Sequence, residues 1–289
     1  ITKAQEQLIK GFALVSSLIT FVLSAVLLFQ FDFSSADKLQ LGNKISWIKS
    51  INANYEIGID GISLPLLVLS TFITVLAIIY SIEHLPEPKS PKGFLALILV
   101  LETGMNGTFV ALDLILFFVF FEIVLLPMYF MIGIWGDKTV RTVSGFKNQI
   151  ETRLYASIKF FVFTLFGSAF MLLGFLGLYY RGNKTFSIPE LIELGTSGAF
   201  TGTFATLVFA VLFLGFAVKV PMWPLHTWLP DAHTAAPTVG SVLLAAILLK
   251  LGSYGFVRIA IPILPEQAKA WAPAIAILSA IGIIYGSLA

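Results

Sequence analysis

Cysteine is missing from all 289 residues. That excludes disulfides, a thiol nucleophile, and any iron–sulfur or zinc centre held by cysteine. Charge is scarce too: 12% of residues are charged, the net charge is +2, and no basic tract of the kind that grips nucleic acid occurs. A phosphate-binding loop, a dinucleotide-binding glycine pattern and a nucleophile beside a base are all wanting. A chain without NAD, flavin or metal motifs, yet with charge inside apolar runs, reads as one that moves ions rather than one that transforms a substrate alone. The first ten residues are polar and the apolar run after them is too long for a signal-peptide core.

What is abundant is hydrocarbon. Hydrophobic residues make up 57% of the chain and mean hydropathy is +0.92, values of a polytopic membrane protein. The apolar residues fall into runs of about 20, the length an α-helix needs to cross a bilayer. The expected architecture is all-α, one membrane domain over residues 1–289 with about eight transmembrane helices. The spans are expected near Gly11–Phe31, Gly61–Ile82, Gly93–Leu112, Asp113–Trp135 and Leu154–Tyr180, with two more inside Phe204–Arg258 and a last one over Trp271–Ala289. Between the first two, residues 32–60 are polar, with alternating stretches such as Tyr55–Ile59, and predict an extramembrane hairpin or interfacial loop. Asp60 is placed to cap the second span, and Pro65 is tolerated near its start. Arg181–Gly202 reads as a mixed loop. Lysine and arginine divide almost evenly between the two sides. The short, dense loop from Lys138 to Arg153 favours the cytoplasm for its side. Starting at Ile1 and stopping at Ala289 directly after an apolar run, the sequence reads as a piece of a longer protein.

The stretch Phe204–Arg258 organises the rest. It holds two apolar spans, each with one lysine, Lys219 and Lys250, joined by a break rich in proline. A lysine at mid-bilayer depth costs roughly 2.5–3.5 kcal/mol on insertion scales. Two readings are open: the lysines snorkel or pair as packing detail, or they belong to an ion pathway. The second is favoured, because Pro221 and Pro224 break the helix just after Lys219. Irregular backbone at membrane depth survives only where it is buried or lines a wet cavity. Lys250 precedes Gly252 and Gly255, which permit close helix approach.

Glu122 lies between FFVFF and IVLL, with Pro127 five residues later to kink the span one turn past it. A charged carboxylate there is costly alone. A lysine ~7 Å away at an effective dielectric of 20 would offset roughly 2.4 kcal/mol. The bland alternative is a protonated glutamate hydrogen-bonded to a neighbouring helix. His226, Asp231 and His233 in LHTWLPDAH satisfy backbone groups at the break, line a water entry or join a proton path; proline disrupts the spacing a metal-ligand face would need, so no metal is expected. Glu102 and Asn106, one helical turn apart, read as polar helix contacts or as an auxiliary carboxylate site. Lys159 sits within two turns of a helix end, where it snorkels or assists. Gly282 and Gly286 form a GxxxG spacing, a weak packing signal.

The string KVPMWPLHTWLPDAHTAAPTVGSVLLAAILLKLGSYGFVR resembles the antiporter-like membrane subunits of respiratory complex I, the proton-pumping NADH–quinone oxidoreductase. DLILFFVFFEIVLLPMYFMIGIWG and GIDGISLPL resemble two further blocks of that family. The resemblance covers nearly the whole chain. It implies an inverted-repeat fold of about fourteen helices, of which this chain holds one repeat; the first helix and the C-terminal half are missing. It implies proton translocation by Glu122 paired with Lys219, and by Lys250 passing the proton inward as an entry half-channel. It further implies a multi-pass place in a bacterial cytoplasmic membrane. The partners would be the lipid bilayer and neighbouring membrane-arm subunits, other antiporter-like ones among them, with NADH, FMN, iron–sulfur clusters and quinone held by those partner subunits. Multisubunit Na⁺/H⁺ antiporters and membrane-bound hydrogenases share the scaffold and remain alternatives, beside a purely structural membrane module.

Overall fold

The computed structural model describes residues 3–142 and 149–288. Lys147 of the basic loop and Ala289 of the last expected span lie outside the described residues. Helix α1, Lys3–Gln30, begins well before Gly11, because its polar first turns are good helix formers stitched by a Glu6–Lys10 ion pair of 2.7 Å at i, i+4 spacing. Strands β1, Gln40–Ile48, and β2, Ala53–Ile59, form an antiparallel hairpin in which Ile45 faces Tyr55. Helices α2, Ser63–Glu83, and α3, Pro91–Val110, follow as single rods.

The fourth span is divided into α4, Leu114–Ile123, and α5, Leu125–Trp135. The break falls at Val124, two residues past Glu122 rather than a full turn past it. Proline has no N–H to return to Ile123, so the turn preceding it loosens. Two short strands, β3 Val140–Arg141 and β4 Ile150–Glu151, pair in the loop that leads to α6, Thr152–Arg181. The expected mixed loop after α6 contains a helix, α7, Ile188–Thr196. It starts on Pro189 in the first turn and buries Ile188 and Leu191. Then come α8, Gly202–Lys219, a short α9, Trp228–Ala235, a long α10, Thr238–Ile263, and α11, Pro265–Leu288. The last helix starts at Pro265 rather than Trp271 and carries Pro273 inside.

Among the described residues eight spans are long and apolar enough to cross a membrane. Their outer faces carry large apolar side chains such as Phe12, Phe29, Leu173 and Leu207, all exposed, which suits contact with lipid. The interior is aromatic. Phe117 and Phe121 of α4, Phe175 of α6 and Phe216 of α8 meet edge to face. On one end, the hairpin, the α3–α4 turn and the start of α7 are stitched into a lid. Asp113 caps α4 through the N–H groups of Ile115 and Leu116 and also accepts the Asn54 N–H of β2 at 2.8 Å. Lys44 of β1 reaches Glu190 of α7 at 2.8 Å.

Candidate functional site

Small residues decide which helices come close. A side chain at Gly167 of α6 would meet Val218 of α8 at 2.8 Å, one at Gly174 would meet Leu212 at 2.6 Å, and one at Gly215 would meet Met171 at 2.7 Å. Stripping these positions to glycine lets α6 and α8 pack along their length. Ser168 and Lys219, which follow the two residues of the Gly167–Val218 contact, are thereby brought to the same interior region as the end of α4.

Glu122 occupies the last turn of α4 and is half-buried. Its carboxylate Oε1 accepts a short hydrogen bond from the Ser168 hydroxyl, which also lies 2.9 Å from the Thr164 carbonyl. Lys219 is the last residue of α8 and is 3% exposed. Its ammonium lies 4.5 Å from the centre of the Phe121 ring, and Nζ has no hydrogen-bonding partner among the described residues. Glu122 and Lys219 lie within electrostatic reach of each other without forming a direct ion pair. The acid and base are neighbours held slightly apart.

The break after Lys219 follows from a count of backbone groups. Pro221 has no N–H for the Ala217 carbonyl, so the Met222 N–H takes that place at 2.9 Å. This leaves the Val218 carbonyl, which Met222 would have served in a regular helix. The buried Trp228 of α9 donates its indole Nε1–H to it at 2.9 Å. The helix therefore stops beside the lysine with its carbonyls satisfied.

Lys250 is not brought to this pair. It lies exposed on α10, directly after a π-helical stretch, Leu244–Leu248, and its ammonium donates to the Ala245 carbonyl at 2.5 Å. Its helix does touch the site: a side chain at Gly252 would come within 3.0 Å of the Lys219 Cβ.

The auxiliary candidates separate into different places. Asp231 and Lys159 meet: the Lys159 ammonium and the Arg141 guanidinium each reach one Asp231 oxygen at 2.8 Å, and both cations stand over the Tyr155 ring. Burial pushes the Asp231 carboxyl up, but Lys159 and Arg141 overcome this and hold it below the usual carboxylate range. His226 turns its ring edge to Tyr285 and buries an unpartnered Nδ1. His233 is exposed, and its backbone carbonyl accepts from the Ser241 hydroxyl at 2.8 Å. No trio of metal-ligating side chains gathers among the described residues. Glu102 is 4% exposed on α3 and lines a cleft away from Glu122.

One cluster escaped the sequence reading. Arg258 of α10 reaches Asp60 at 2.6 Å and Tyr254 at 2.9 Å, and Tyr254 donates to the Phe109 carbonyl at 2.8 Å. Burial raises the Asp60 carboxyl, yet Arg258 and the N–H groups of Ser63 and Ile62 prevail and keep it low. The i, i+4 spacing of Tyr254 and Arg258 was the available signal; the third member, 198 residues upstream of Arg258, had none.

The architecture has relatives. Residues 111–289 match the family model described as NADH:quinone oxidoreductase/Mrp antiporter, TM, and residues 3–108 match NADH-ubiquinone oxidoreductase chain 4, amino terminus. NADH-quinone oxidoreductase subunit M of Rhodobacter capsulatus is 42% identical, over 99% of this chain and 54% of its own length. NADH-ubiquinone oxidoreductase chain 4 of Arabidopsis thaliana is 41% identical over 100% of this chain and 54% of its own. Among solved structures, respiratory complex I from Thermus thermophilus contains a chain with a TM-score of 0.80 and 27% identity, covering 96% of this chain and 54% of that one. The Mrp complex from Dietzia sp. DQ12-45-1b shares the fold, with a TM-score of 0.72 at 19% identity over 89% of this chain and 26% of that one. The chain spans about half the length of the curated relatives it matches.

Proposed function

Since the chain belongs to the NADH:quinone oxidoreductase/Mrp antiporter membrane family, we propose that it works as a proton-translocating subunit of an NADH–quinone oxidoreductase in an energy-converting membrane, with Glu122 and Lys219 as its coupled acid and base. The observation that carries this is Lys219: a 3%-exposed ammonium without a protein hydrogen bond, at the end of a helix interrupted by prolines, beside an acid on another helix. Packing alone gives no reason to keep such a group, because an uncompensated buried charge costs several kcal/mol. A group that gains and loses a proton, and so changes charge beside Glu122, has a use for that tension.

In this reading Ser168 fixes the Glu122 carboxylate, and the carboxylate's charge state sets how readily Lys219 holds its proton. Lys250 receives the proton next, along α10. The redox chemistry belongs to partner subunits that hold NADH, FMN, iron–sulfur clusters and quinone, and the neighbours of this chain are other membrane-arm subunits. Relatives named from bacteria support a bacterial cytoplasmic membrane, and the plant relatives fit a mitochondrial one by the same argument. A cation/proton antiporter subunit is the second reading, supported by the fold shared with the Mrp complex.

The test is substitution in the assembled complex. Lys219→Ala and Glu122→Ala should each abolish NADH-driven proton uptake into membrane vesicles while the complex still assembles on native gels. Assembled variants that pump at the unaltered rate would end the proposal.

A further inference from the structure

A second polar region lies apart from the Glu122–Lys219 pair. Helices α1, α2 and α3, with Phe120 of α4, line an open cleft of about 610 Å³ whose walls are largely apolar, with polar groups set among residues such as Leu27, Leu67 and Leu99. Its lining runs from Gln30 and Tyr55, at the face that carries the β-hairpin, inward to Ser16 and Glu102. Eight residues of α3 separate Val110 at the mouth from Glu102, a depth of about 12 Å at ~1.5 Å per residue. Glu102 is 4% exposed, and its Oε1 has no partner among the described residues; Oδ1 of Asn106, one turn nearer the mouth, has none among them either.

The remaining polar groups of the lining do not serve these oxygens. The hydroxyls turn back onto their own helices or onto each other: Thr20 to the Ser16 carbonyl at 3.1 Å, Thr103 to Leu99 at 2.9 Å, Thr71 to Val68 at 2.9 Å, and Ser24 against Thr71 at 2.7 Å. With those protons spent, the Glu102 and Asn106 oxygens are left as acceptors, and a guest that satisfies them must donate hydrogen bonds. The lining includes no cation to pair with the carboxylate, and Tyr55 is its only titratable group besides Glu102. Water supplies the donors, and a proton on the terminal carboxylate completes the hydrogen bonding at its inner end.

We propose that the α1–α2–α3 cleft is a water-filled inlet open to the hairpin face, and that Glu102 at its inner end is a proton acceptor loaded from that face. Water delivers the proton: an O–H of the nearest water breaks, a carboxylate oxygen takes the proton, and the hydroxide left behind is neutralised along the water chain from outside. The inlet gives the proposed transport function an acceptor on the hairpin side. Its own access and protonation are nevertheless read without any transport, so a failure here is distinct from a failure of the Glu122–Lys219 reading.

The test uses the full-length chain in the assembled complex, in sealed vesicles of either orientation. Because these residues hold no cysteine, single replacements report cleanly over them. Asn106→Cys, with Thr103→Cys as a second site should the first disturb folding, is exposed to a membrane-impermeant methanethiosulfonate. Only a hydrated thiol ionises and reacts, so modification from the hairpin face should run at least about tenfold faster than from the other face. Leu173→Cys, on an outward apolar surface, should resist reagent from both. Infrared spectra of the unsubstituted complex should show a protonated carboxyl band that shifts in deuterated water and is missing in Glu102→Gln. Equal or absent modification from the hairpin face, as a lipid or a partner helix filling the cleft would give, overturns the inlet. A spectrum unchanged by Glu102→Gln overturns the acceptor.

Discussion

Replacing Arg258 by leucine tests whether the Asp60–Arg258 contact is a structural clamp. The two side chains are 10% and 9% exposed and their charged atoms are 2.6 Å apart. An exposed ion pair contributes ~0–1 kcal/mol, whereas removing one partner of a buried pair costs about 3–5 kcal/mol because the other charge is stranded. Asp60 would keep the Ile62 and Ser63 N–H groups at 3.1 and 2.9 Å, which places the expected loss near the lower end, about 3 kcal/mol. That is roughly a 150-fold change in the ratio of folded to unfolded protein. The double variant Asp60→Asn with Arg258→Leu keeps a capping side chain but strands no charge, and should recover about 2 kcal/mol of it. Unfolding of the full-length chain in detergent, followed by near-UV circular dichroism, measures both. The pH dependence has a definite sign. Asp60 is held below the usual carboxylate range when folded, so its contribution is present above the unfolded carboxylate value and is lost as pH falls through the folded value. Without Arg258 that acid limb should move to higher pH. A loss below about 1 kcal/mol, or a double variant as unstable as the single one, would refute the clamp.

Two further substitutions probe the scaffold. Asp231→Asn should cost about 1–3 kcal/mol by stranding Lys159 and Arg141, and should remove an acid-side stability loss of the same sign as that of Asp60, since Asp231 too is held low; a pH-unfolding series checks it. Gly167→Ala should cost about 1–3 kcal/mol, because its Cβ would sit 2.8 Å from that of Val218 and force α6 from α8.

The spans were legible because twenty apolar residues in a row have few other uses, and the break after Lys219 because proline removes a specific donor. The α4–α5 break was legible in kind and misplaced in position: a proline disturbs the turn before it, so the irregularity falls at Val124, between Glu122 and Pro127. Helix α7 was hidden by its proline, which punctuates a loop and starts a helix equally well. Lys250 shows a deeper limit. Each π-helical stretch adds a residue to a turn and rotates everything after it relative to regular helical spacing. Leu244–Leu248 does this immediately before Lys250, so its facing could not be read from periodicity. The Asp60–Arg258 and Asp231–Lys159 contacts join residues 198 and 72 positions apart, and only the packing of helices announces them.

These contacts tie the two ends of the bundle. At the hairpin face Asp60, Arg258 and Tyr254 satisfy one another, and at the opposite face Asp231 holds Lys159 and Arg141, although the Arg141 Nε is buried without a partner of its own. Between them Lys219, Glu102 and Asn106 keep atoms without hydrogen-bonding partners among the described residues, as Glu56 and Ser187 do near the hairpin. Selection for stability alone gives no reason to keep the interior three, because an unpaired polar group costs most where water is scarcest. Charge pairs at both ends hold the helices in register, and under the proposed function this leaves the interior groups free to change protonation. A clamp variant should therefore loosen the scaffold without changing which side of the membrane the interior acids meet. Substitution of an interior group should do the reverse.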